Sequence, residues 1–453
     1  MSASFFETHK LALTPLSPLH VGCGEDYEPT GFVLDEDFLY PFDASDVPMS
    51  DEDLAKLLEL ARTPGEKGEG LCAIARFFDQ RASFFKQYAQ ARLRVDDEAM
   101  EKLQKLYGEI SAADICNSGF HEQESNGQKG ENYLDTINQN CVPRTAYIKN
   151  CGRIEPYIPG TTLKGAIHTA LLDRVHEATR SPSMFEPAPS ERDPKRRNTT
   201  QLMDKLLLGA PPGQFQTSPM RMISVADMHS GEEDVVTRII MSKRVCKDSA
   251  ISLSEKKGHM LPIPIEVVEK AQYRAFWGEL RLRRSEGRTE PPRFDGRPAR
   301  LLEPRVEKSY GSVAEIISDL NRYAERDFDE QAIIWRDRGS AETKHWFEQT
   351  QNLLQILKPL MKQGRVALVR LGKFGGAENV TLRMHGTPKI EIKGVKEPQE
   401  FATTLAIACE GSENQLTLPF GWALLEIDPQ PGESAILRWC EDIGGLGDGE
   451  QRD

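Results

Sequence analysis

The stretch 157–172 constrains this chain most, because an apolar entry leads into a Pro-Gly turn and then into a helical pattern. Thr161 and Thr162 follow the turn and are able to cap a helix, which predicts a helix running towards Val175. Lys164 lies in the first turn, where the positive end of the helix dipole disfavours a cation. It is either an ordinary solvated lysine or a lysine that meets a bound anion, for which phosphate is the natural candidate.

The composition indicates a soluble globular protein. Its 453 residues are 39% apolar and 28% charged, enough for two or three domains or one elaborated domain. The sequence has no apolar run long enough for a membrane span and no signal-peptide pattern at its start, so we expect a cytoplasmic protein. Its eight cysteines form no C-x-x-C pair, and its nine histidines show no ligand spacing. We therefore expect no cofactor and no metal site.

The charge is spread unevenly along the chain. The net charge of −13 argues against nucleic-acid binding. However, residues 1–150 hold 14 Lys and Arg against 26 Asp and Glu, whereas residues 191–310 hold 23 against 17. An acidic first third and a basic middle are compatible with one face for RNA and another for protein neighbours.

Hydrophobic patterns divide the chain into segments. A first strand starts near Lys10 and runs into a glycine bend at 22–24, and a hairpin follows over 32–40. A capping box at Ser50 opens a helical insertion. Near the end of the chain, the pattern predicts a buried strand over 365–371 and one β segment over 416–427. The predicted segments begin with a first part of the core over 1–180, which holds a helical insertion at about 50–115 and a mobile loop at about 117–139. A Pro-rich basic loop follows over 181–213, in which residues 201–208 could form two helical turns. The remaining segments are a β-rich middle over 214–310, a C-terminal lobe with two long helices and a Gly-rich loop over 311–440, and a disordered tail over 441–453.

Three glycine-bearing turns follow predicted strands. The first holds Gly22 and Gly24, the second holds Gly160, and the third spans 372–376. Glycine lets a ligand approach the backbone closely, and Lys164 and Lys373 beside two of these turns carry the charge to neutralise phosphate. No G-x-x-x-x-G-K-[ST] loop and no dinucleotide fingerprint occurs, so these turns do not indicate a nucleotide hydrolase or a dehydrogenase.

Taken together and in this order, the three turns resemble the RAMP superfamily of type III CRISPR effector complexes. Residues 14–24 are similar to that family's first strand and glycine bend. Residues 157–172 are similar to its Pro-Gly-Ser/Thr-Ser/Thr-Leu-Lys-Gly helix start, and residues 372–376 to its late glycine-rich loop. The resemblance is greatest to the fifth subunit family of the Csm (type III-A) complex. It implies an α+β fold with an RNA-recognition-motif or ferredoxin-like core, an antiparallel sheet, helical insertions and a second α/β lobe.

The resemblance also implies a role: binding single-stranded guide RNA (crRNA) at its 3′-end side, near target RNA and beside other Csm-type RAMP backbone subunits, with no membrane partner. Arg370 ends a predicted strand, and for it a contact with RNA and a contact with another subunit remain alternatives. The RNA-binding residues expected in this way are Gly22, Gly24, Thr161, Thr162, Lys164, His168, Arg370, Gly372, Lys373, Gly375 and Gly376.

Catalysis is not expected. Related backbone subunits cut target RNA with an aspartate soon after the first glycine bend, and the equivalent position here is near Thr30, which cannot take that role. A metal-dependent ribonuclease using Asp26 or Asp35 is the alternative from a different class. A third possibility is another RAMP subunit with the same RNA chemistry in a different place.

Overall fold

A computed structural model describes most of the chain. The described residues are 6–62, 69–107, 141–150, 153–179, 201, 203–211, 213, 217–231, 233–246, 262–283, 293–294, 297–298, 309–382, 404–410, 416–431 and 434–444. The loop predicted over 117–139, most of the Pro-rich loop and residues 445–453 of the predicted tail lie outside them.

The described helices lie in four parts of the chain. They are α1 (Asp51–Arg62), α2 (Glu69–Asp79), α3 (Ala82–Phe85), α4 (Asp97–Tyr107), α5 (Gly160–Thr179), α6 (Val313–Arg338), α7 (Ala341–Lys362) and α8 (Ala435–Ile443). Short 3-10 turns occur at Ala44–Asp46, Lys86–Tyr88, Pro219–Met222 and Ala377–Val380, and a single π-helical turn spans Asp204–Leu208. None of the described helices is long and apolar enough to cross a membrane.

Strands occur throughout the part of the chain that the structure describes. They are β1 (Phe6–Pro15), β2 (Gly22–Tyr27), β3 (Phe32–Asp35), β4 (Phe38–Pro41), β5 (Leu93–Val95), β6 (Val142–Thr145), β7 (Tyr147–Asn150), β8 (Arg153–Pro156), β9 (Ile223–Val225), β10 (His229–Ser230), β11 (Thr237–Cys246), β12 (Ile263–Val268), β13 (Phe276–Arg283), β14 (Arg293–Phe294), β15 (Arg297–Pro298), β16 (Val366–Arg370), β17 (Thr404–Glu410), β18 (Leu416–Pro419) and β19 (Trp422–Ile427).

The first sheet is antiparallel and positions the site described below. Its strand order is β10-β13-β1-β19-β16, with β9 also pairing with β13. The first strand of the chain is therefore flanked by a strand from the middle and a strand from near the end, with Leu11 opposite Gly278 on one side and Ile427 on the other. This sheet is not confined to any one of the segments predicted from the sequence.

Alternation along β19 divides the apolar core between the two faces of this sheet. Trp422 and Leu424 pack into one buried cluster with α7 and the C-terminal half of α6. Ala423 and Leu425 belong to another cluster, together with apolar residues of α5 and the first half of α6. All six residues of β19 are buried, as expected of a central strand covered on both faces.

The second sheet has the order β18-β17-β11-β5-β4-β3, with β12 also pairing with the first six residues of β11. Its one parallel pair among the described strands joins β11 to β5, and its other pairs are antiparallel. The hairpin predicted over 32–40 is present as β3 and β4. The protein is thus an α+β fold with mainly antiparallel sheets.

Two predicted boundaries are wrong. The single β segment expected over 416–427 is two strands in different sheets, because the backbone turns at Gly421, whose φ is +88°. An added Cβ there would lie 2.3 Å from the carbonyl oxygen of Leu371, so the turn depends on glycine. The disordered tail expected from residue 441 instead begins with the last turn of α8, where Ile443 is fully buried.

Candidate nucleic-acid interface

The N-terminus of α5 is held by another part of the chain. The helix begins at Gly160, whose N–H donates to the Asp227 carboxylate at 2.7 Å, so the expected cap by Thr161 or Thr162 is wrong. A Cβ at position 160 would lie 2.3 Å from the carbonyl oxygen of Val225, which explains the glycine. The anion at this positive helix end is therefore the protein's own carboxylate.

Lys164 lies against the chain rather than free in solvent. Its Nζ donates to the carbonyl oxygen of Ile223 at 2.8 Å, and partial burial lowers its pKa. Asp227 at the helix start and this carbonyl account for a lysine in the first turn without a bound phosphate. Its predicted phosphate contact stays a prediction.

His168, one turn further along α5, contacts the stretch 201–208, for which the sequence allows two helical turns within the Pro-rich loop. Its Nε2 lies 2.7 Å from the Asp204 carboxylate, which belongs to the π-helical turn. Leu207 and Leu208 of that turn are fully buried, so this part of the predicted exposed loop packs against the core.

The first glycine bend differs from the predicted shape, because Gly22 to Tyr27 form β2, which pairs irregularly with β6. Just before it lies His20, whose side chain is 1% exposed. Its Nδ1 donates to the carbonyl oxygen of Glu266 at 2.7 Å, which leaves Nε2 as an acceptor with no hydrogen-bond partner in the described structure. Burial, with a smaller effect of Lys373, lowers the pKa of His20 to about 4.

The third glycine turn packs against the backbone of His20. The Lys373 N–H donates to the carbonyl oxygen of His20 at 2.9 Å. Gly372 has a φ of +82°, and a Cβ there would lie 2.3 Å from the same oxygen. The third glycine turn is therefore in direct backbone contact with His20, which lies two residues before the first glycine turn and about 350 positions away in the chain. The Lys373 side chain is left exposed.

Arg370, at the end of β16, is buried rather than exposed as a surface contact. Its Nη1 donates to the Asp327 carboxylate at 2.7 Å, and its Nε donates to the carbonyl oxygen of Phe420 at 2.9 Å. Its Nη2 has no hydrogen-bond partner in the described structure. The charged head of Arg370 is therefore buried in the fold, and its contact with RNA or with another subunit stays a prediction.

The three turns enclose one groove of about 650 Å³. Eight of the eleven predicted RNA-binding residues line it, whereas Lys164, Gly375 and Gly376 do not. These eight are Gly22, Gly24, Thr161, Thr162, His168, Arg370, Gly372 and Lys373. None of the described residues that line the groove is Asp or Glu, in a chain that has 70 of them. Lys373 is therefore the exposed cation of this groove, since Arg370 and His168 are each bound to a carboxylate of the fold.

The sequence argument missed several groove residues. Thr169 and Asn379 line it, and the Asn379 amide donates to the carbonyl oxygen of Arg370 at 3.2 Å. His20 lies directly beneath the Gly22 backbone, with Nε2 3.1 Å from the position of an added Cβ. Thr169 could have been predicted from the sequence, because it lies two turns along the predicted helix from Thr162 and therefore on the same face. Nothing in the sequence pattern indicated that Asn379 lines the groove.

The aspartates of the alternative nuclease hypothesis lie elsewhere in the fold. Asp26 is half-buried in β2 opposite Pro143, and Asp35 accepts a hydrogen bond from the Lys86 ammonium. Neither residue lines the groove. Within the described ranges, no group of three or more His, Cys, Asp or Glu side chains is placed to hold a metal ion.

Two solved structures are similar to this chain over most of its length. One is a chain of a Csm-crRNA-target RNA ternary complex, with 16% identity, a TM-score of 0.46, and coverage of 93% of this chain and 100% of the other. The other is Csm5 of T. onnurineus, with 15% identity, a TM-score of 0.46, and coverage of 91% and 99%. No protein-family model and no curated protein sequence matches the chain.

Proposed function

We propose that this chain is a non-catalytic, crRNA-binding structural subunit of a type III-A (Csm) CRISPR effector complex. It would bind the 3′-end side of the guide and support crRNA maturation and complex assembly in antiviral defence. Its partners would be crRNA, nearby target RNA and other Csm-type RAMP backbone subunits. An RNA-recognition-motif or ferredoxin-like core is part of the same proposal.

One observation carries the proposal: three glycine turns far apart in the sequence meet around a groove without carboxylates. Gly24 lines the groove with open space around its Cβ position, so a strand of RNA can approach the backbone there, and the exposed Lys373 ammonium supplies positive charge at the rim. The exposed hydroxyl of Thr161 and the half-buried hydroxyl of Thr162 add uncharged donors. This combination suits phosphate and sugar contacts of a single strand.

RNA-binding measurements test the assignment. Fluorescence anisotropy with labelled single-stranded RNA, repeated over a range of salt concentrations, should give affinity that falls steeply with salt. Lys373→Glu should weaken binding about 10-fold or more and lower the salt slope by about one. Lys362→Glu, on an exposed lysine at the end of α7, is the matched control and should bind nearly as wild type. Equal affinity for wild type and Lys373→Glu contradicts the assignment.

The non-catalytic part of the proposal needs its own test. Labelled RNA incubated with the protein and Mg²⁺ should remain intact. Metal-dependent cleavage that Asp26→Ala or Asp35→Ala abolishes would instead support the ribonuclease alternative.

A further inference from the structure

The histidine that α5 contributes to the groove is held by the fold through one ring nitrogen. His168 lines the groove, and its side chain is 20% exposed. Its Nε2 lies 2.7 Å from the Asp204 carboxylate, and because an ionised carboxylate only accepts hydrogen bonds, Nε2 carries the proton. The other nitrogen, Nδ1, has no hydrogen-bond partner among the described residues and retains accessible surface. In the neutral ring, Nδ1 is therefore an unused acceptor.

The next residue of α5 presents the same kind of group. Thr169 also lines the groove, and its Oγ1 donates to the carbonyl oxygen of Gly165 at 3.1 Å. A hydroxyl has one proton, so this bond leaves the Thr169 oxygen with lone pairs and no donor. Gly165 is exposed, and an added Cβ there would meet nothing within 4 Å, so a ligand can approach this turn of α5 closely. We call His168 Nδ1 and Thr169 Oγ1 the acceptor face of the groove.

The acceptor face does not suit phosphate, because phosphate oxygens are acceptors as well. The imidazole adds no free positive charge there, since its other nitrogen is bound to the Asp204 carboxylate. The acceptor face instead suits an uncharged group that donates a hydrogen bond. In single-stranded RNA, the ribose 2′-hydroxyl is such a donor on every nucleotide, whatever its base, and it is the group by which a protein can distinguish RNA from DNA.

Lys373 supplies the charge that the acceptor face lacks. Its side chain is exposed and lines the same groove, with Cδ 3.8 Å from the position of a Cβ on Gly22. The groove volume of about 650 Å³ is within the range of about 300–1,000 Å³ that is typical of ligand sites. Phosphate and ribose are adjacent in every nucleotide, so a strand whose phosphate contacts Lys373 brings a 2′-hydroxyl into the same groove.

We infer that the acceptor face binds a ribose 2′-hydroxyl of the RNA, which donates to His168 Nδ1, and that the groove thereby selects RNA over DNA. The contact with Asp204 fixes the ring tautomer that accepts at Nδ1. This inference rests on the proposed function and adds one point to it: besides the charge of the phosphates, the groove recognises the sugar.

Chemically modified RNA tests the inference by fluorescence anisotropy on the full chain, at about pH 8, where imidazole in general is neutral. The probe is a labelled single-stranded RNA. The comparison is the same sequence with 2′-fluoro in place of every 2′-hydroxyl, which keeps the sugar pucker of RNA but cannot donate a hydrogen bond. Wild type should bind the 2′-fluoro RNA about 5-fold more weakly, the effect of one lost hydrogen bond.

Two substitutions at position 168 make the test specific to this site. His168→Gln retains an N–H for Asp204 but has no atom at the position of Nδ1, so its affinities for the two RNAs should agree within about 2-fold. His168→Asn is the matched control, because its carbonyl oxygen replaces Nδ1 as an acceptor, and it should keep a preference of about 5-fold. Denaturant unfolding of both variants checks that each is folded.

The possible outcomes separate this inference from the proposed function. Equal affinity of wild type for the two RNAs, together with Lys373-dependent binding, overturns the inference and leaves the proposed function standing. A preference for the 2′-hydroxyl that His168→Gln retains, or that His168→Asn loses as fully as His168→Gln, also overturns the inference. Failure of wild type to bind RNA, or binding that is independent of Lys373, overturns both.

Discussion

Lys164 and Lys373 each lie beside a glycine turn, yet the fold gives them different surroundings. At the start of α5, Asp227 holds the Gly160 N–H and a backbone carbonyl accepts from Lys164. In the turn after β16, the backbone of Lys373 is bound to His20 and its side chain is exposed. The first lysine is used by the protein itself and the second is available to a ligand. The same local pattern therefore does not imply the same role.

The largest expected effect is a loss of stability when the glycine at the start of either turn, Gly372 or Gly160, is replaced by alanine. Added Cβ atoms at Gly372 and Gly160 would each lie 2.3 Å from a carbonyl oxygen, but only Gly372 also has a positive φ. Gly372→Ala should therefore destabilise the fold by about 4 kcal/mol and Gly160→Ala by about 2 kcal/mol, in denaturant unfolding. Gly24→Ala is the control, since its φ is +83° but its Cβ meets nothing within 4 Å. It should cost only about 1 kcal/mol. A smaller loss for Gly372→Ala than for Gly24→Ala would contradict the backbone contact with His20.

The histidine under the Lys373 turn should make stability depend on pH. The folded-state pKa of His20 is about 4 against an ordinary 6.5, so the unfolded state takes up the proton first. The stability is fully present above pH 6.5 and is lost as the pH falls from 6.5 towards 4, by up to about 3 kcal/mol. His20→Asn, whose side-chain N–H can replace Nδ1–H, should flatten this part of the curve of unfolding free energy against pH. An unchanged slope in the variant would show that other groups cause it.

Neutral substitutions compare the two lysines directly. Lys373→Met should lower RNA affinity about 5-fold, which is about 1 kcal/mol, and leave stability unchanged, because its side chain is exposed. Lys164→Met should do the reverse, with a stability loss of about 1 kcal/mol from the hydrogen bond to Ile223 and an affinity within about 2-fold of wild type. RNA-binding anisotropy and denaturant unfolding, each carried out on both variants, measure these changes in affinity and stability. An affinity loss for Lys164→Met as large as that for Lys373→Met would restore Lys164 as a phosphate contact.

The smallest effect is expected for Gly165→Ala on the exposed turn between Lys164 and His168. Replacing an unconstrained helical glycine should stabilise the protein by about 0.5–1 kcal/mol, because the Cβ meets nothing within 4 Å and alanine loses less backbone entropy. Thermal unfolding measures the gain. A loss of stability would mean that this turn of α5 requires glycine for a reason that the packing does not show.

Much of the fold was predictable from local patterns. The hairpin formed by β3 and β4 and the two long helices α6 and α7 occur where alternation and amphipathic stripes indicate them. The strand pairing was not predictable in the same way, because β1 lies between β13 and β19 and these contacts join residues hundreds of positions apart. The turn at Gly421 between β18 and β19 was not predicted, because an apolar run whose two halves are both buried has the pattern of a single strand.

For the candidate site, the sequence by itself determined which residue types were available: three glycine turns, two threonines, and lysines beside two of the turns. Those features are local, so chain order and composition reveal them. Only the tertiary structure decided that Gly372 packs on the backbone of His20, that Arg370 is buried against Asp327, and that Lys164 donates to a carbonyl. These are contacts between distant segments, and their outcome depends on which partner the fold places within hydrogen-bond distance of each charged group.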